Sequence, residues 1–238
     1  MTLTRSQTSE LLARHGLAPR RSFGQNFVVE PETVRRIAVL ARVGAGDRVL
    51  EIGAGLGALT IALAETGALV TAVEIDDGVV RALRDNVAAL TSVRVVHDDA
   101  MRLDYDALLR DADSWTVVAN LPYNVATPLV ADLLDGVPRV RRLLVMVQKE
   151  VAQRFVARPG DEAFGAVSVK VAYWATARIV GEVSWRCSCR VRASHRRSWK
   201  SCAATHRRCP RRSRRCSRSC ARGSRRGARC CAARSKVR

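Results

Sequence analysis

Short apolar runs alternate with amphipathic stretches between residues 47 and 148, a pattern typical of βα units. The apolar runs predict five strands, at residues 47–52, 69–75, 93–97, 116–119 and 142–147. Between them Leu, Val or Ala recurs at three- and four-residue spacing, which predicts helices at residues 58–65, 78–89, 105–110 and 127–134. The fold class that we expect is α/β, with a mostly parallel, Rossmann-like sheet.

Further elements flank this region on both sides. Residues 31–43 predict a helix that begins at Pro31, because proline suits a first helical turn. Its inward residues are expected to be Val34, Ile37, Ala38 and Leu40. Downstream, residues 149–157 predict a helix, and residues 166–183, rich in Val, Tyr, Trp and Ile, predict a long sixth strand. A turn at Pro159-Gly160 separates the two.

Composition divides the 238 residues into two unlike parts. The formal net charge is +19, but residues 186–238 hold 18 Arg and 2 Lys with no acidic residue, whereas the first 185 residues hold 21 basic and 22 acidic residues. The tail also holds all eight Cys and no Leu, Ile, Met or Phe, so we expect it to build no core. We divide the chain into an N-terminal extension at 1–19, a folded domain at 20–184 and a tail at 185–238.

Localisation and partners follow from what the sequence lacks. It contains no apolar run of 18 residues, and residues 1–20 lack the continuous apolar stretch of a signal peptide. We therefore expect a cytoplasmic protein without a membrane partner, in a compartment that keeps thiols reduced. The Cys residues form no C-x-x-C pair, so we expect no metal site. We also expect a monomer.

The strongest local signal is the segment EIGAGLG at residues 51–57, at the end of the first predicted strand. Glycines let the backbone turn sharply and approach a nucleotide-like ligand. Gly53 and Gly55, with Ala58, also satisfy the dinucleotide-binding fingerprint, and Glu74 follows Gly53 by 21 residues, where a carboxylate can hold ribose hydroxyls. This loop therefore leaves two cofactor classes open, NAD and S-adenosylmethionine.

Two acidic positions favour S-adenosylmethionine. Glu51 precedes the glycines, and Asp99 follows the third predicted strand, where it can accept hydrogen bonds from an adenine amine. S-adenosylmethionine carries a ribose, an adenine and a zwitterionic amino acid but no pyrophosphate, so carboxylates at successive strand ends suit it better than an anion-binding helix terminus. An equally good interpretation of Asp99 is a helix N-cap before Met101.

The fourth predicted strand ends in Asn120-Leu121-Pro122-Tyr123. An exocyclic adenine amine is a poor nucleophile because its lone pair is delocalised into the ring. An Asn side-chain oxygen and the next backbone carbonyl can accept its two N–H groups and localise the lone pair toward a methyl donor. Pro122 stiffens the turn that aims the Leu121 carbonyl, and Tyr123 offers an aromatic face for a base taken out of its stack. The tetrapeptide predicts amine methylation, although without the glycine loop an ordinary turn would explain it.

Six segments stand in a fixed order along residues 20–184: RSFGQNFV (21–28), EIGAGLG (51–57), VEID (73–76), HDDAM (97–101), ANLPYNVATP (119–128) and VQKEVAQRF (147–155). Together they resemble the ribosomal RNA adenine dimethyltransferases, and within them the small-subunit (16S) branch associated with kasugamycin sensitivity. The resemblance implies a class I methyltransferase fold and S-adenosylmethionine-dependent dimethylation of N6 of adenosines in small-subunit ribosomal RNA during ribosome biogenesis. Its implied partners are ribosomal RNA and the small ribosomal subunit.

The resemblance also assigns roles residue by residue. The cofactor-binding residues that it implies are Asn26, Val28, Gly53, Gly55, Glu74, Asp99 and Asn120. The catalytic residues that it implies are Asn120, Leu121, Pro122 and Tyr123. Gly53 would lie against the methionine part of the cofactor, Glu74 would hold the ribose, and Asp99 would hold the adenine amine. Asn120 would sit at the point of methyl transfer, Leu121 would contribute its carbonyl, and Tyr123 would stack on the target base.

The C-terminal part departs from the family. After residues 181–184 the family continues into a Pro- and Phe-containing segment, a last strand and a small helical domain, and we find none of these in the tail. Arg, Ala, Ser and Cys make up 42 of residues 186–238, as a GC-rich gene read in another frame would give. We therefore interpret the tail as disordered or frameshift-derived, and the helical domain as absent or replaced. The sixth strand would then lack a neighbour and expose an apolar edge.

Other functions stay open at this point. An NAD-dependent oxidoreductase would use the same glycine loop. A truncated, inactive methyltransferase remnant would keep the cofactor site and lose its activity on ribosomal subunits. In that case, or if the tail is an evolved basic arm, residues 186–238 would bind RNA phosphates.

Overall fold

The computed structural model describes residues 3–17, 27–28, 30–184, 188–189 and 199–207. The helices are α1 (Arg5–Arg14), α2 (Pro31–Ala41), α3 (Ala58–Ala64), α4 (Asp77–Val87), α5 (Tyr105–Leu108), α6 (Tyr123–Gly136), α7 (Lys149–Val156) and α8 (Ala166–Trp174). The strands are β1 (Phe27–Val28), β2 (Arg48–Ile52), β3 (Leu69–Glu74), β4 (Val93–His97), β5 (Trp115–Asn120), β6 (Val140–Gln148), β7 (Ala175–Ser184), β8 (Ser188–Cys189) and β9 (Trp199–Arg207).

Seven strands form one sheet in the order β4-β3-β2-β5-β6-β9-β7. The five from β4 to β6 run parallel, and β9 runs antiparallel to both of its neighbours. β1 and β8 make a separate antiparallel pair. These five parallel strands and their crossover helices confirm the expected Rossmann-like α/β fold. The chain leaves β2 toward β3 on one side and returns to β5 on the other, which opens a crevice at the carboxyl ends of β2 and β5.

The two faces of the sheet carry separate apolar layers because side chains alternate along each strand. On β5, Val117 and Ala119 face the layer that contains α6 and α7, whereas Val118 faces the layer that contains α2 and α3. The predicted α2 face is present, with Val34, Ile37 and Ala38 buried and Leu40 half-buried. In the described parts of the chain, no helix combines the length and apolar character that a bilayer span needs.

The predicted strand at 166–183 is wrong in its first half, because residues 166–174 form helix α8. Val167, Val171 and Trp174 recur at four- and three-residue spacing and pack on the layer with α6 and α7. The Ser168 hydroxyl, which accepts from Gly165 N–H and donates to the Arg154 carbonyl, fixes the start of the helix against α7. The preference of β-branched residues for strands is weak, so tertiary packing determines that this segment forms a helix.

The expectation that the sheet lacks a last strand is also corrected. β9, from residues 199–207 of the tail, lies between β6 and β7, with Leu144 opposite Ala204 on one side and Arg178 opposite Ala204 on the other. Backbone hydrogen bonds require no particular side chains, so a segment without Leu or Ile can complete the sheet. The compact unit runs to Arg207, beyond the boundary expected at residue 184.

The N-terminal residues also belong to this unit. Helix α1 begins with a capping box, in which Thr4 and Gln7 bond each other's backbone N–H groups. Leu3 and Leu11 are buried in a third apolar cluster with Leu56 and Leu83. Residues 3–14 therefore pack against the glycine loop and α4 through this cluster.

Candidate active site

The glycine loop begins where β2 ends. Gly53, Gly55 and Gly57 all have positive φ angles, of 75°, 57° and 88°, which side chains rarely adopt. The N–H groups of Gly53 and Ala54 both donate to the Val73 carbonyl, at 2.9 and 3.2 Å, so the loop is fastened to β3. This fastening places the loop backbone beside the end of the neighbouring strand.

Gly57 is required for packing as well as for its backbone angle. A Cβ atom at this position would lie 2.8 Å from Leu83 Cδ1 and 3.3 Å from Val87 Cγ1, both on α4. Both neighbours are buried, so neither can move aside freely. Asn86 of the same helix donates to the Leu56 carbonyl at 2.6 Å. Gly57 thus lets α4 close against the loop.

Replacing Gly57 with alanine is expected to destabilise the fold by about 2–4 kcal/mol, from backbone strain plus overpacking. Gly160 provides the matched control, because its φ is 99° but a Cβ there would have no atom within 4 Å. Gly160→Ala should cost only the backbone part, about 1 kcal/mol. Thermal or urea unfolding of the two variants measures the difference. Equal losses in both would show that the contact with α4 is unimportant.

Glu74 ends β3 with its carboxylate turned toward the glycine loop. Its Oε2 accepts from the Gly55 N–H at 2.9 Å, and its Oε1 accepts from the N–H groups of Ile75 and Asp76 at 3.0 and 3.2 Å. The residue is 8% exposed. A carboxylate can accept about four hydrogen bonds, so the position keeps the capacity for one more donor such as a hydroxyl.

Asp99 lies at the same edge of the sheet, two residues beyond β4. Its Oδ1 accepts from the Met101 N–H at 2.9 Å and its Oδ2 is 3.8 Å from Arg102 Nε. The carboxylate therefore caps a turn, in keeping with the capping interpretation, although no helix follows directly. Tyr105 holds this loop from behind, since its hydroxyl donates to the Ala100 carbonyl at 2.7 Å. Burial, with the nearby charges of Asp99 and Asp132, raises the pKa of Tyr105, which stays a hydrogen-bond donor.

The tetrapeptide at residues 120–123 joins β5 to α6 beside the glycine loop. A Cβ atom at Gly53 would lie 3.6 Å from the Asn120 carbonyl oxygen. Leu121 is anchored, because its N–H donates to the Met146 carbonyl at 3.0 Å and its side chain is buried. Pro122, with φ −68°, is the N-cap of α6, and its carbonyl accepts from Val125 and Ala126. The strand end is therefore held in a fixed conformation.

A cavity that is open to solvent lies between this strand end and the glycine loop. Gly53, Gly55 and Asn120 line it together. Thr8 of α1 and Leu3, which precedes that helix, line it as well, a role that the sequence did not predict. The paired Thr4 and Gln7 were the available signal of a helix there.

Glu51 is a further residue of this cavity to which the sequence reasoning gave no specific contact. It is 2% exposed, and its Oε2 atom has no hydrogen-bond partner in the part of the chain that the structure describes. Burial above all raises its pKa to about 8; the Thr60 hydroxyl acts in the opposite direction, and the charge of Glu74 adds to the rise. An unpaired carboxyl facing a glycine-lined cavity suits a ligand that carries a positive charge.

The structure brings most of the predicted site residues to one edge of the sheet. Gly53, Gly55 and Asn120 line the cavity, Glu74 touches Gly55, and the loop of Asp99 continues from a bond between Asp98 N–H and the Glu74 carbonyl. Two predicted positions are described only by their backbone. Val28, in β1, pairs with Ser188 of β8, and Tyr123 is the first residue of α6. Asn26 lies outside the described residues.

This donor set fits S-adenosylmethionine. The glycine loop leaves room for a ligand backbone, Glu74 offers acceptors for hydroxyls, and Glu51 places an unpartnered buried carboxyl oxygen where a cation can approach. A pyrophosphate would bring negative charge toward two buried acidic side chains. The site therefore suits a cationic, nucleoside-containing ligand better than a dinucleotide.

Comparisons with known proteins agree with this geometry. A family model described as ribosomal RNA adenine dimethylase matches residues 16–190. Three curated relatives named ribosomal RNA small subunit methyltransferase A are 48%, 47% and 46% identical: those of Bifidobacterium adolescentis over 180 residues, Magnetococcus marinus over 169 and Thermobifida fusca over 186. The matches cover 73%, 71% and 76% of this chain but 59%, 61% and 64% of the relatives. The chain thus spans about three fifths of their length.

Solved structures share the fold. The 23S rRNA methyltransferase ErmE superimposes with a TM-score of 0.66 at 23% identity, over 77% of this chain and 70% of that one. A dimethyladenosine transferase from Plasmodium falciparum superimposes with a TM-score of 0.64 at 22% identity, over 75% of this chain and 62% of that one. At these identities the likeness establishes the Rossmann-like methyltransferase fold.

Proposed function

The chain belongs to the ribosomal RNA adenine dimethylase family, and from this premise we propose that it transfers methyl groups from S-adenosylmethionine to N6 of adenosines in small-subunit ribosomal RNA. The observation that carries the proposal is the meeting of Asn120 with Gly53 and Gly55 around one cavity. The relatives' name supports the small subunit as the substrate. Because the chain covers about three fifths of those relatives, activity on the ribosomal particle is part of the proposal.

Each residue of the site has a physical role in this proposal. S-adenosylmethionine, when bound, supplies an electrophilic methyl group on a positively charged sulfur. The Asn120 side-chain oxygen and the Leu121 carbonyl accept hydrogen bonds from the two N–H groups of the target amine. These bonds localise the nitrogen lone pair toward the methyl donor. Pro122 and the anchored Leu121 N–H hold these two acceptors in place. Tyr123 stacks on the extruded base.

On the cofactor side, Glu74 accepts from the ribose hydroxyls, and Asp99 accepts from the adenine amine. The resemblance to the family assigns Asn26 and Val28 to the binding of the methyl donor. Leu3, Val34 and Ile37 contribute buried apolar walls to the cavity that also contains Glu51. As part of this proposal, the chain acts in the cytoplasm, as a monomer and without a metal ion.

The tail enters the proposal separately. We infer that residues 186–238 derive from a shifted reading frame, supported by their acid-free composition and by the family match, which ends at residue 190. The matched part covers 59% and 61% of two of these relatives.

A comparison of ligands by thermal shift tests the cofactor assignment. At about 100 times its Kd, S-adenosylmethionine should stabilise the chain by about 3 kcal/mol, a rise in Tm of several degrees. NAD at the same concentration should leave Tm unchanged. A rise with NAD and none with S-adenosylmethionine would instead support the oxidoreductase alternative. Transfer of labelled methyl groups to purified small ribosomal subunits then tests the substrate.

A further inference from the structure

Among the described residues, none of those that line the cavity of Glu51 carries a positive charge. The described residues that line its cavity are apolar, glycine or uncharged polar ones, from α1, α2, α3, the glycine loop, the end of β5 and β6. Two polar groups affect the pKa of this carboxyl: the Thr60 hydroxyl of α3 lowers it, and the charge of the Glu74 carboxylate of β3 raises it. Glu74 directs its own oxygens to three backbone N–H groups.

An ionised carboxylate is costly in such a place. With Oε2 unpartnered and the side chain 2% exposed, the charged form would lose hydration and gain little in exchange. The neighbouring negative charge of Glu74 adds repulsion. The neutral acid is therefore the stable form when the cavity holds no cation, and burial raises the pKa of Glu51 to about 8.

We propose that Glu51 is protonated in the empty cavity and loses its proton when the positively charged end of S-adenosylmethionine binds, so that cofactor binding is coupled to proton release. This inference rests on the proposed function only in the identity of the ligand. The step balances simply, since the carboxylic acid becomes a carboxylate that pairs with the cation, and the proton passes to the buffer. The cation is either the α-ammonium or the sulfonium group, which share this chemistry.

The coupling fixes the sign of the pH dependence. Below about pH 8 each binding event must first remove the Glu51 proton, which becomes easier as the pH rises. The affinity for S-adenosylmethionine should therefore increase about tenfold per pH unit between pH 5.5 and 7.5. Glu51→Gln keeps the shape of the side chain and removes the titration. Its affinity should stay level across the same range.

Isothermal titration calorimetry measures the proton directly. S-adenosylmethionine is titrated into the full chain at pH 6.5 in phosphate and in Tris, whose ionisation enthalpies differ. The dependence of the apparent enthalpy on the buffer should report release of about one proton by the wild type and none by Glu51→Gln. Subtracting the variant removes any proton exchanged by the ligand itself. A parallel titration with S-adenosylhomocysteine, which keeps the ammonium but lacks the sulfonium charge, identifies which cation pairs with Glu51.

The outcomes separate this inference from the proposed function. Proton release with both ligands identifies the ammonium as the group that pairs with Glu51, and release with S-adenosylmethionine alone identifies the sulfonium. Either result supports the coupling. Tight binding with equal proton counts in the wild type and Glu51→Gln overturns the coupling and leaves the cofactor assignment standing. Should the variant fail to fold, a level wild-type affinity between pH 5.5 and 7.5 gives the same negative result. Absence of binding at every pH would contradict the cofactor assignment itself.

Discussion

Methyl transfer is expected to fall by about a thousandfold or more when Asn120 is replaced by alanine. The residue ends β5 at the edge of the cavity, next to the glycine loop. In the proposed reaction its side-chain oxygen accepts a hydrogen bond from the target amine, and this interaction strengthens as the amine attacks the methyl group. Removing an acceptor that acts mainly in the transition state lowers kcat much more than it weakens binding of the cofactor.

The assay follows transfer of labelled methyl groups to purified small ribosomal subunits, with S-adenosylmethionine affinity measured in parallel. Asn124→Ala is the matched control, because Asn124 is exposed on the first turn of α6 and lies outside the cavity. We expect Asn124→Ala to retain wild-type turnover and both variants to bind S-adenosylmethionine within a few-fold of the wild type. Substantial turnover by Asn120→Ala would remove Asn120 from the point of methyl transfer.

The sequence was sufficient to predict the central part of the fold. The strands β2, β3, β5 and β6 are short, largely buried apolar runs, and α4 and α6 bury apolar residues at helical spacing, so local pattern and tertiary burial agree there. The candidate site residues Gly53, Gly55, Glu74 and Asp99 could be predicted from the sequence for a related reason. In parallel sheets, strand ends from different βα units meet at one edge, so separate motifs predict a common site.

Elsewhere the pattern was insufficient, for identifiable reasons. The β-branched residues of α8 suit a strand equally well, and only contacts with α6 and α7 favour the helix. The isolation of Glu51 could not be predicted either, because it depends on Leu3, Val34 and Met146 arriving from three distant segments. Whether the Glu51 carboxyl is buried depends on the assembled fold and not on the residues next to it in the sequence.

The strand β9 leads to the second large effect. Ending the chain after Ser184 is expected to abolish soluble folded protein, whereas ending it after Arg207 should leave the fold intact. β9 is the only sheet neighbour of β7 among the described strands, and it also covers the outer edge of β6. Its absence would break the hydrogen-bond ladders along both, each bond contributing about 1 kcal/mol, in a fold whose total stability is about 5–15 kcal/mol.

A proline in β9 makes the same test at constant chain length. Ala204 pairs with Leu144 of β6 and Arg178 of β7, so a proline there removes an N–H from an interior strand and should unfold the sheet. Ala228→Pro is the matched control, in a position outside the described residues. Soluble yield, circular dichroism and size-exclusion chromatography distinguish the variants. If Ala204→Pro and the chain ending at Ser184 both stay folded and bind S-adenosylmethionine, the domain ends at residue 184, and the edges of β6 and β7 must be protected by their own charged residues, such as Arg141 and Arg178.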